Sequence, residues 1–359
     1  MRERPPFLSL LADRVVVFDG ATGSNLQHLD LQLDDFAGKE GCNEILVRTR
    51  PDVVQGLHDR FLAAGCHVVE TNSFGASRVV LAEYGLEAEA YELNRLAAVL
   101  AREVAAGHCR ADRPRYVAGS VGPTTRLPSL GHIGFDELRL AFVEQMRGLL
   151  DGGVDLLTIE TCQDLLQVRC ALLAARQAMT AVGRTVPLMA TVTLELSGTM
   201  LLGSDLGAAV TALAPLRPDL LGLNCATGPL EMKQHLRFLA AASPLPLAVQ
   251  PNAGLPENVG GRPVYPLSPE DFAAWHEGFV REEGVAVIGG CCGTTPEHLA
   301  AAAARVEGVT PARRSSRFEP ALASLYTAVP LRQEPRPFLV GERTNANGSK
   351  KFRELLLAD

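Results

Sequence analysis

Three cysteines carry the plainest chemistry in the chain. Cys225 closes the run Leu-Gly-Leu-Asn-Cys-Ala-Thr-Gly-Pro, and Cys291 with Cys292 closes Ile-Gly-Gly-Cys-Cys-Gly-Thr-Thr-Pro. Neighbouring residues on a regular strand point to opposite faces, so both thiols of the pair reach one point only where the backbone turns. Gly289, Gly290 and Gly293 permit that turn, and Thr294-Thr295-Pro296 reads as a helix start with proline in its first turn. Three thiolates suit zinc and leave a fourth position open, as in a catalytic site. An ion held there would deprotonate an incoming thiol, whose free pKa is ~8.5. The sulfur-rich ligand set would keep that thiol nucleophilic, which is what alkyl transfer to sulfur requires. One cysteine alone is ordinarily buried core. Three of them at two strand ends, two adjacent and flanked by glycine, are better explained as a metal site. A disulfide between sequence neighbours is strained. Cys42, Cys66, Cys109, Cys162 and Cys170 read as structural.

The elements that must hold these residues alternate between short apolar runs and longer segments of helical period. The runs are Val15–Asp19, His67–Thr71, Arg115–Val121, Leu156–Thr161, Pro187–Leu194, Leu220–Cys225, Pro246–Asn252 and Val285–Cys291. Their Val, Leu and Ile content fits strands buried on both faces. Between them, segments such as Pro51–Ala64, Ala88–Ala106, Phe135–Leu150 and Asp164–Ala181 carry apolar residues at helical spacing. Eight strand–helix units predict an α/β fold of the (β/α)8 TIM-barrel type. A doubly wound open sheet is the competitor; the count of eight and the lack of a dinucleotide fingerprint after the first strand favour the barrel. Nearly every run also ends in polar or small residues, among them Asp19-Gly20, Glu70-Thr71-Asn72, Glu160-Thr161-Cys162 and Gln250-Pro251-Asn252. A barrel brings such ends together on one face.

Bulk properties bound the function. The 359 residues are 47% hydrophobic and 21% charged, the composition of a soluble globular protein. A net charge of −7 argues against nucleic acid but leaves room for a small anionic ligand. The N-terminus lacks a secretory signal, and no apolar run approaches the ~20 residues of a membrane helix. A cytoplasmic protein, with reduced thiols, is expected.

With the cysteine motifs in place, the chain resembles the homocysteine S-methyltransferase family. Gly289–Pro296 with Asn224-Cys225 is similar to that family's zinc motif. Asp19–Gly23, Glu70–Ala76, Gly119–Thr124 and Gln250–Gly254 match its other motifs, in order, over about residues 10 to 305. The resemblance implies a (β/α)8 barrel, Zn2+ held by Cys225, Cys291 and Cys292, and homocysteine as methyl acceptor. It places Asp19 and Glu160 on the homocysteine ammonium, with backbone near Gly20 and Ala21 meeting the carboxylate. Physical chemistry agrees, since a zwitterionic amino acid needs acceptors for its ammonium. Asn72 and Asn252 are further substrate-binding candidates; each could instead close a loop. Gly119–Thr124 lacks the Lys-Ser/Thr of a phosphate loop and reads as active-face loop. A betaine donor would need an aromatic cage; the sole tryptophan, Trp275, reads as outer-helix core, and only Phe74 sits plainly on an active-face loop.

The pattern changes after residue 308. Residues 1–308 form the expected barrel, 309–337 read as linker, and 338–359 as the truncated start of a second domain. Phe338–Phe352 resembles the opening of the pterin-binding domain that follows the homocysteine barrel in cobalamin-dependent methionine synthases. That resemblance implies methylcobalamin as donor, bound by a domain absent from this chain, with cobalamin-binding and pterin-binding domains as partners. The alternatives are a free-standing methyltransferase using S-methylmethionine or a related donor, and a non-enzymatic zinc- and thiol-sensing barrel.

Overall fold

The structure, a computed structural model, describes residues 4–339 and 345–358. The apolar runs become short parallel strands: β1 (Val16–Val17), β2 (Val68–Glu70), β3 (Tyr116–Val121), β4 (Leu156–Cys162), β5 (Leu188–Val192), β6 (Leu220–Asn224) and β7 (Leu247–Gln250). After β7 the chain makes an exposed hairpin of β8 (Glu257–Val259) and β9 (Arg262–Val264), then returns as β10 (Val285–Ile288). The eight parallel strands run in the order β1-β10-β7-β6-β5-β4-β3-β2. A parallel bridge between Phe18 and Val68 joins the two ends and closes the barrel. The sheet is therefore the expected (β/α)8 barrel and not an open sheet.

Alternation along the strands builds two cores. Phe18, Val68, Ala118, Leu156, Met189, Leu220, Ala248 and Val287 pack together as one cluster inside the barrel. The alternate residues, including Val17, Val69, Val117, Leu157, Leu221 and Val249, pack outward against the helices. Phe7 and Leu10 of a short N-terminal helix join the inner cluster. The Phe7 ring meets Phe18 and Tyr116 edge-on at 6.3 and 5.7 Å, a favourable aromatic geometry. This plugs the N-terminal mouth of the barrel and leaves the opposite end open.

Eight helices surround the strands: Pro51–Ala63, Ala90–His108, Phe135–Asp151, Leu165–Val182, Leu206–Leu213, Pro229–Ala242, Pro269–Glu283 and Pro296–Val306. Their starts follow from sequence. Asp164, Asp205 and Ser268 each accept a backbone N–H of the first turn, and Pro51, Pro229, Pro269 and Pro296 occupy the first helical position. Trp275 is a partly buried outer-helix residue beneath Lys233, as expected of it.

Within the segment 309–337, residues 309–330 lie against the barrel, and 331–337 are exposed. Arg314 donates to the carbonyls of Leu245 and Ser243 at 3.0 and 2.6 Å, and Arg317 N–H donates to Ala241 O at 2.8 Å. An antiparallel pair, β11 (Ala321–Ala323) and β12 (Ala328–Pro330), rests on the helix Leu206–Leu213. The linker-like composition is thus compatible with order, because the barrel's own carbonyls accept the segment's donors. The helix Lys350–Leu357 buries no residue. Residues 340–344 of the pterin-domain-like motif lie outside the described residues. Among the described residues, no helix is long and apolar enough to cross a membrane.

Candidate active site

At the open end of the barrel the backbone turns twice to bring the three cysteines together. Cys225 and Ala226, immediately after β6, both adopt φ of 61°, an uncommon conformation outside glycine that marks a built turn. Cys225 N–H donates to Gln250 O at 3.1 Å. On the other side, Gly289 N–H donates to Val249 O, Gly290 N–H to Asp19 O and Cys291 N–H to Pro251 O, at 3.0, 3.0 and 2.9 Å. His276, fully buried, has Nε2 2.9 Å from Gly289 O.

The glycines serve different ends. Gly293 has φ of +77°, and a Cβ there would lie 2.1 Å from the Tyr265 ring. At Gly290 an ordinary backbone suffices, but a Cβ would sit 2.3 Å from the Thr294 hydroxyl. One glycine therefore permits the turn, and the other permits its close packing.

The three Sγ atoms lie within 4.8 Å of one another, and those of Cys225 and Cys292 are 3.8 Å apart. A tetrahedral ion with metal–sulfur bonds of about 2.3 Å separates its sulfurs by about 3.8 Å. The arrangement fits zinc. Hydrogen bonds from Cys225 and then Cys291 pull the Cys292 thiol down to about 3, while Cys291 is pushed well above the usual thiol range. Cys225 is pushed up to about 12 as well, so the cluster favours negative charge on one sulfur, that of Cys292, and holds the other two as thiols.

Beside the thiols are three buried carboxyls from three strand ends. Asp19 Oδ2 accepts Glu70 N–H at 3.0 Å, while its Oδ1 has no partner. Glu70 Oε2 accepts Gln250 Nε2 at 3.3 Å, and its Oε1 is also unpartnered. Ser120 Oγ donates to Glu160 Oε1 at 2.5 Å, and Asn224 Nδ2 lies 3.5 Å from Oε2. Burial raises all three pKa values. Asp19 and Glu70 rise well above the usual carboxylate range, with Glu160 adding to both. Glu160 is pushed up to about 7, by burial first and against the Ser120 hydrogen bond, with the Cys292 charge adding to the rise. Carboxyls crowded in this way are poised to accept a cation.

A cavity of about 300 Å3 joins the two groups, and Cys225, Cys291, Cys292, Glu70 and Glu160 all line it. Gly20, Ala21 and Asn72 line it too, with Phe74 at its edge. Asp19 contributes from below, through Glu70. Asn72 Nδ2 is committed to Asn43 O at 2.8 Å. Asn252 is buried, and its Oδ1 accepts Cys292 N–H at 3.0 Å. The lining contains no lysine or arginine, so a ligand's own carboxylate would meet backbone N–H groups and hydroxyls.

Four further residues belong here that sequence reasoning did not assign. Glu70 repeats the Glu-Thr strand ending of Glu160-Thr161, a signal open to view. Ser120 fixes one oxygen of Glu160. Asn224 accepts Thr161 N–H and Thr191 Oγ1, both at 2.8 Å, and so holds the β4 and β5 ends together. Tyr265, from the residues just after β9, covers Gly293, a contact no local pattern foretells.

The geometry agrees with comparisons to known proteins. Residues 16–306 match the family model for homocysteine S-methyltransferase. Over 352 residues the chain is 49% identical to methionine synthase of Mycobacterium tuberculosis, covering 98% of this chain and 30% of that protein. Methionine synthase of Mycobacterium leprae is 50% identical over 357 residues, with the same coverage. The chain thus spans about 30% of the length of these curated relatives. Among solved structures, the oxidized form of the homocysteine methyltransferase MmuM from Escherichia coli aligns with a TM-score of 0.65 and 26% identity, over 84% of this chain and all of that one. Its metallated form gives 0.66 and 25% over the same shares. The family model covers most of the chain, and the chain belongs to the homocysteine S-methyltransferase family.

Proposed function

We propose that this chain is the homocysteine-binding module of a cobalamin-dependent methionine synthase, transferring a methyl group to the thiol of homocysteine to give methionine. The observation that carries the reading is the single cavity lined both by the three thiols and by the carboxyls of Glu70 and Glu160, with Asp19 beneath Glu70. An amino acid bearing a thiol satisfies both ends: its sulfur meets the cysteines and its ammonium meets the acids.

Cys225, Cys291 and Cys292 would hold zinc, which when bound supplies a Lewis acid that favours the thiolate form of the substrate. The chain's own residues do the rest. Glu160, with Glu70 and Asp19 behind it, accepts the ammonium N–H groups through charge-assisted hydrogen bonds. Ser120 and Asn224 hold Glu160 in place. Gly20, Ala21 and Asn72 line the side where the substrate carboxylate would rest. Asn252 orients Cys292 through its backbone. With the amino-acid end fixed, the sulfur is aimed out of the barrel mouth toward a donor, and orientation of this kind supplies much of the rate.

The methyl donor is proposed to be methylcobalamin, carried with the pterin site by domains outside this chain. The relatives extend well beyond the length matched here, which supports that reading. Under it, residues 1–308 are the catalytic barrel, 309–337 the connection, and 338–359 the start of the pterin-binding domain. All eight cysteines are free, in keeping with a cytoplasmic setting. A free-standing enzyme using S-methylmethionine or a related sulfonium donor is a second reading. It is favoured by the alignment with the homocysteine methyltransferase MmuM, which takes in the whole of that chain.

The test supplies homocysteine and methylcobalamin to the zinc-loaded chain and follows methionine. Slow methionine formation that is lost in Cys225→Ser, together with one zinc per chain in the parent and little in the variant, is expected. Full zinc in Cys291→Ser would remove the metal assignment. Efficient use of S-methylmethionine with no use of methylcobalamin would select the second reading.

A further inference from the structure

At the N-terminal end of the barrel, opposite the cysteines, lies a second cavity of about 480 Å3. It is bounded by the starts of β1 and β2, the turn before β3 and the helix Pro296–Val306. Its floor is unusual. Arg115 is only 5% exposed. Its Nη2 reaches Leu62 O at 3.5 Å, a long contact, and its Nε has no partner. No salt bridge to Arg115 forms among the described residues. A guanidinium this buried, with its Nε unpartnered and no carboxylate against it, is costly and calls for a compensating anion.

The surroundings supply further donors. His67 Nδ1 accepts Val17 N–H at 3.1 Å, so the neutral ring carries its proton on Nε2. Burial, with Arg115, Arg14 and Arg113 adding, keeps the ring neutral by lowering its pKa to about 4. His67, Arg14, Arg113 and Arg115 all line the cavity. Asp13, Asp112 and Glu307 also line it, all exposed at the rim. Only Glu307 is paired with an arginine there, to Arg113 at 3.8 Å, with both side chains largely in solvent. Such a pair contributes little. The rim acids disfavour a large polyanion, while the floor suits a single compact group.

We propose that Arg115, His67, Arg14 and Arg113 form a binding site for a phosphate-class oxyanion at the base of the barrel, separate from the methyl-transfer site. Arginine forks match tetrahedral oxyanions geometrically. Free phosphate and the phosphate of a small metabolite present the same group, and it is this group that the site recognises.

The probe is inorganic phosphate, read by thermal unfolding of the chain against chloride and acetate at matched ionic strength. A saturable rise in Tm with phosphate, absent with chloride and smaller with acetate, is expected, because a ligand bound only to the folded state stabilises it. Arg115→Met should abolish the rise while leaving the protein at least as stable without phosphate, since an unbalanced charge is removed. The double variant Arg14→Ala/Arg113→Ala changes only exposed side chains and should fold normally; its half-saturation should move to at least about tenfold higher phosphate. It carries the test alone if Arg115→Met does not fold. The proposal is overturned if phosphate acts no differently from chloride, if acetate matches it, or if the rise persists unchanged in the double variant.

Discussion

The side-chain carbonyl of Asn252, just past β7, accepts the backbone N–H of Cys292, just past β10, at 3.0 Å. One strand end thereby sets the direction of a thiol on its neighbour. Asn252 N–H in turn donates to Thr227 O at 3.1 Å, two residues past Cys225. A single buried asparagine thus ties together the two turns that carry the cysteines.

Breaking this tie should loosen the metal site without unfolding the barrel. Asn252→Ala is expected to weaken zinc affinity by roughly tenfold to a hundredfold, the usual scale for a residue supporting a ligand. Asn252→Asp keeps the acceptor and should lose less. Competition with a chromophoric chelator measures both. Equal zinc affinity in Asn252→Ala and the parent would remove Asn252 from the site's support.

Gly293→Ala should be severely damaging. The substitution meets a left-handed backbone and a Tyr265 ring atom 2.1 Å away at once. The backbone alone costs about 1–3 kcal/mol, and displacing the ring adds to it. Tyr265→Ala in the same chain should relieve the clash but not the backbone strain. Denaturant unfolding of the single and double variants separates the two contributions. A double variant no more stable than Gly293→Ala would show that the ring contact is unimportant.

Much of this was legible from sequence because barrel strands are local and their ends carry function. The runs Val15–Asp19, Leu156–Thr161, Leu220–Cys225 and Val285–Cys291 needed no long-range information: burial on both faces makes them apolar, and the open mouth of the barrel makes their last residues polar. Support across strands was harder to see. Asn224 binding Thr161, Asn252 binding Cys292 and Tyr265 covering Gly293 join residues 28 to 63 positions apart only after the barrel closes. The docked course of 309–330 was hidden for another reason. Its composition is that of a flexible linker, and its order depends on carbonyls exposed at the ends of the barrel's helices and loops.

His58 offers a pH-dependent prediction. It is fully buried, its Nε2 has no partner, and burial lowers its pKa to about 4. The unfolded chain takes up a proton near the free value of ~6.5, whereas the folded chain resists it. As pH falls from about 6.5 to about 4, the unfolded state binds more protons and His58 destabilises the fold, by up to about 1.4 kcal/mol per pH unit. Above that window the penalty disappears. Raised carboxyls such as Glu160 act in the opposite sense, so total stability mixes the two. The difference between parent and His58→Leu isolates one group: it should move in favour of the variant on acidification and level off below about pH 4. A difference that stays constant between pH 7 and 4 would show that His58 takes up its proton without unfolding.

Glu160→Gln tests whether the buried carboxyls read the substrate's ammonium. The change is nearly isosteric and leaves an oxygen for the Ser120 hydroxyl, so the pocket should keep its shape. What is lost is the negative charge. A charge-assisted hydrogen bond of about 1.5–3 kcal/mol corresponds to roughly 10- to 100-fold weaker homocysteine binding, with zinc content unchanged. The informative control is 4-mercaptobutanoate, which keeps the thiol and carboxylate but lacks the amino group. Its binding should be indifferent to the substitution or improved by it, because Glu160 offers it only desolvation and like charge. Calorimetry on both ligands with both proteins gives a coupling energy between the carboxyl and the ammonium. A coupling near zero, with both ligands weakened alike, would make Glu160 a wall of the pocket and return the ammonium to Glu70 and Asp19.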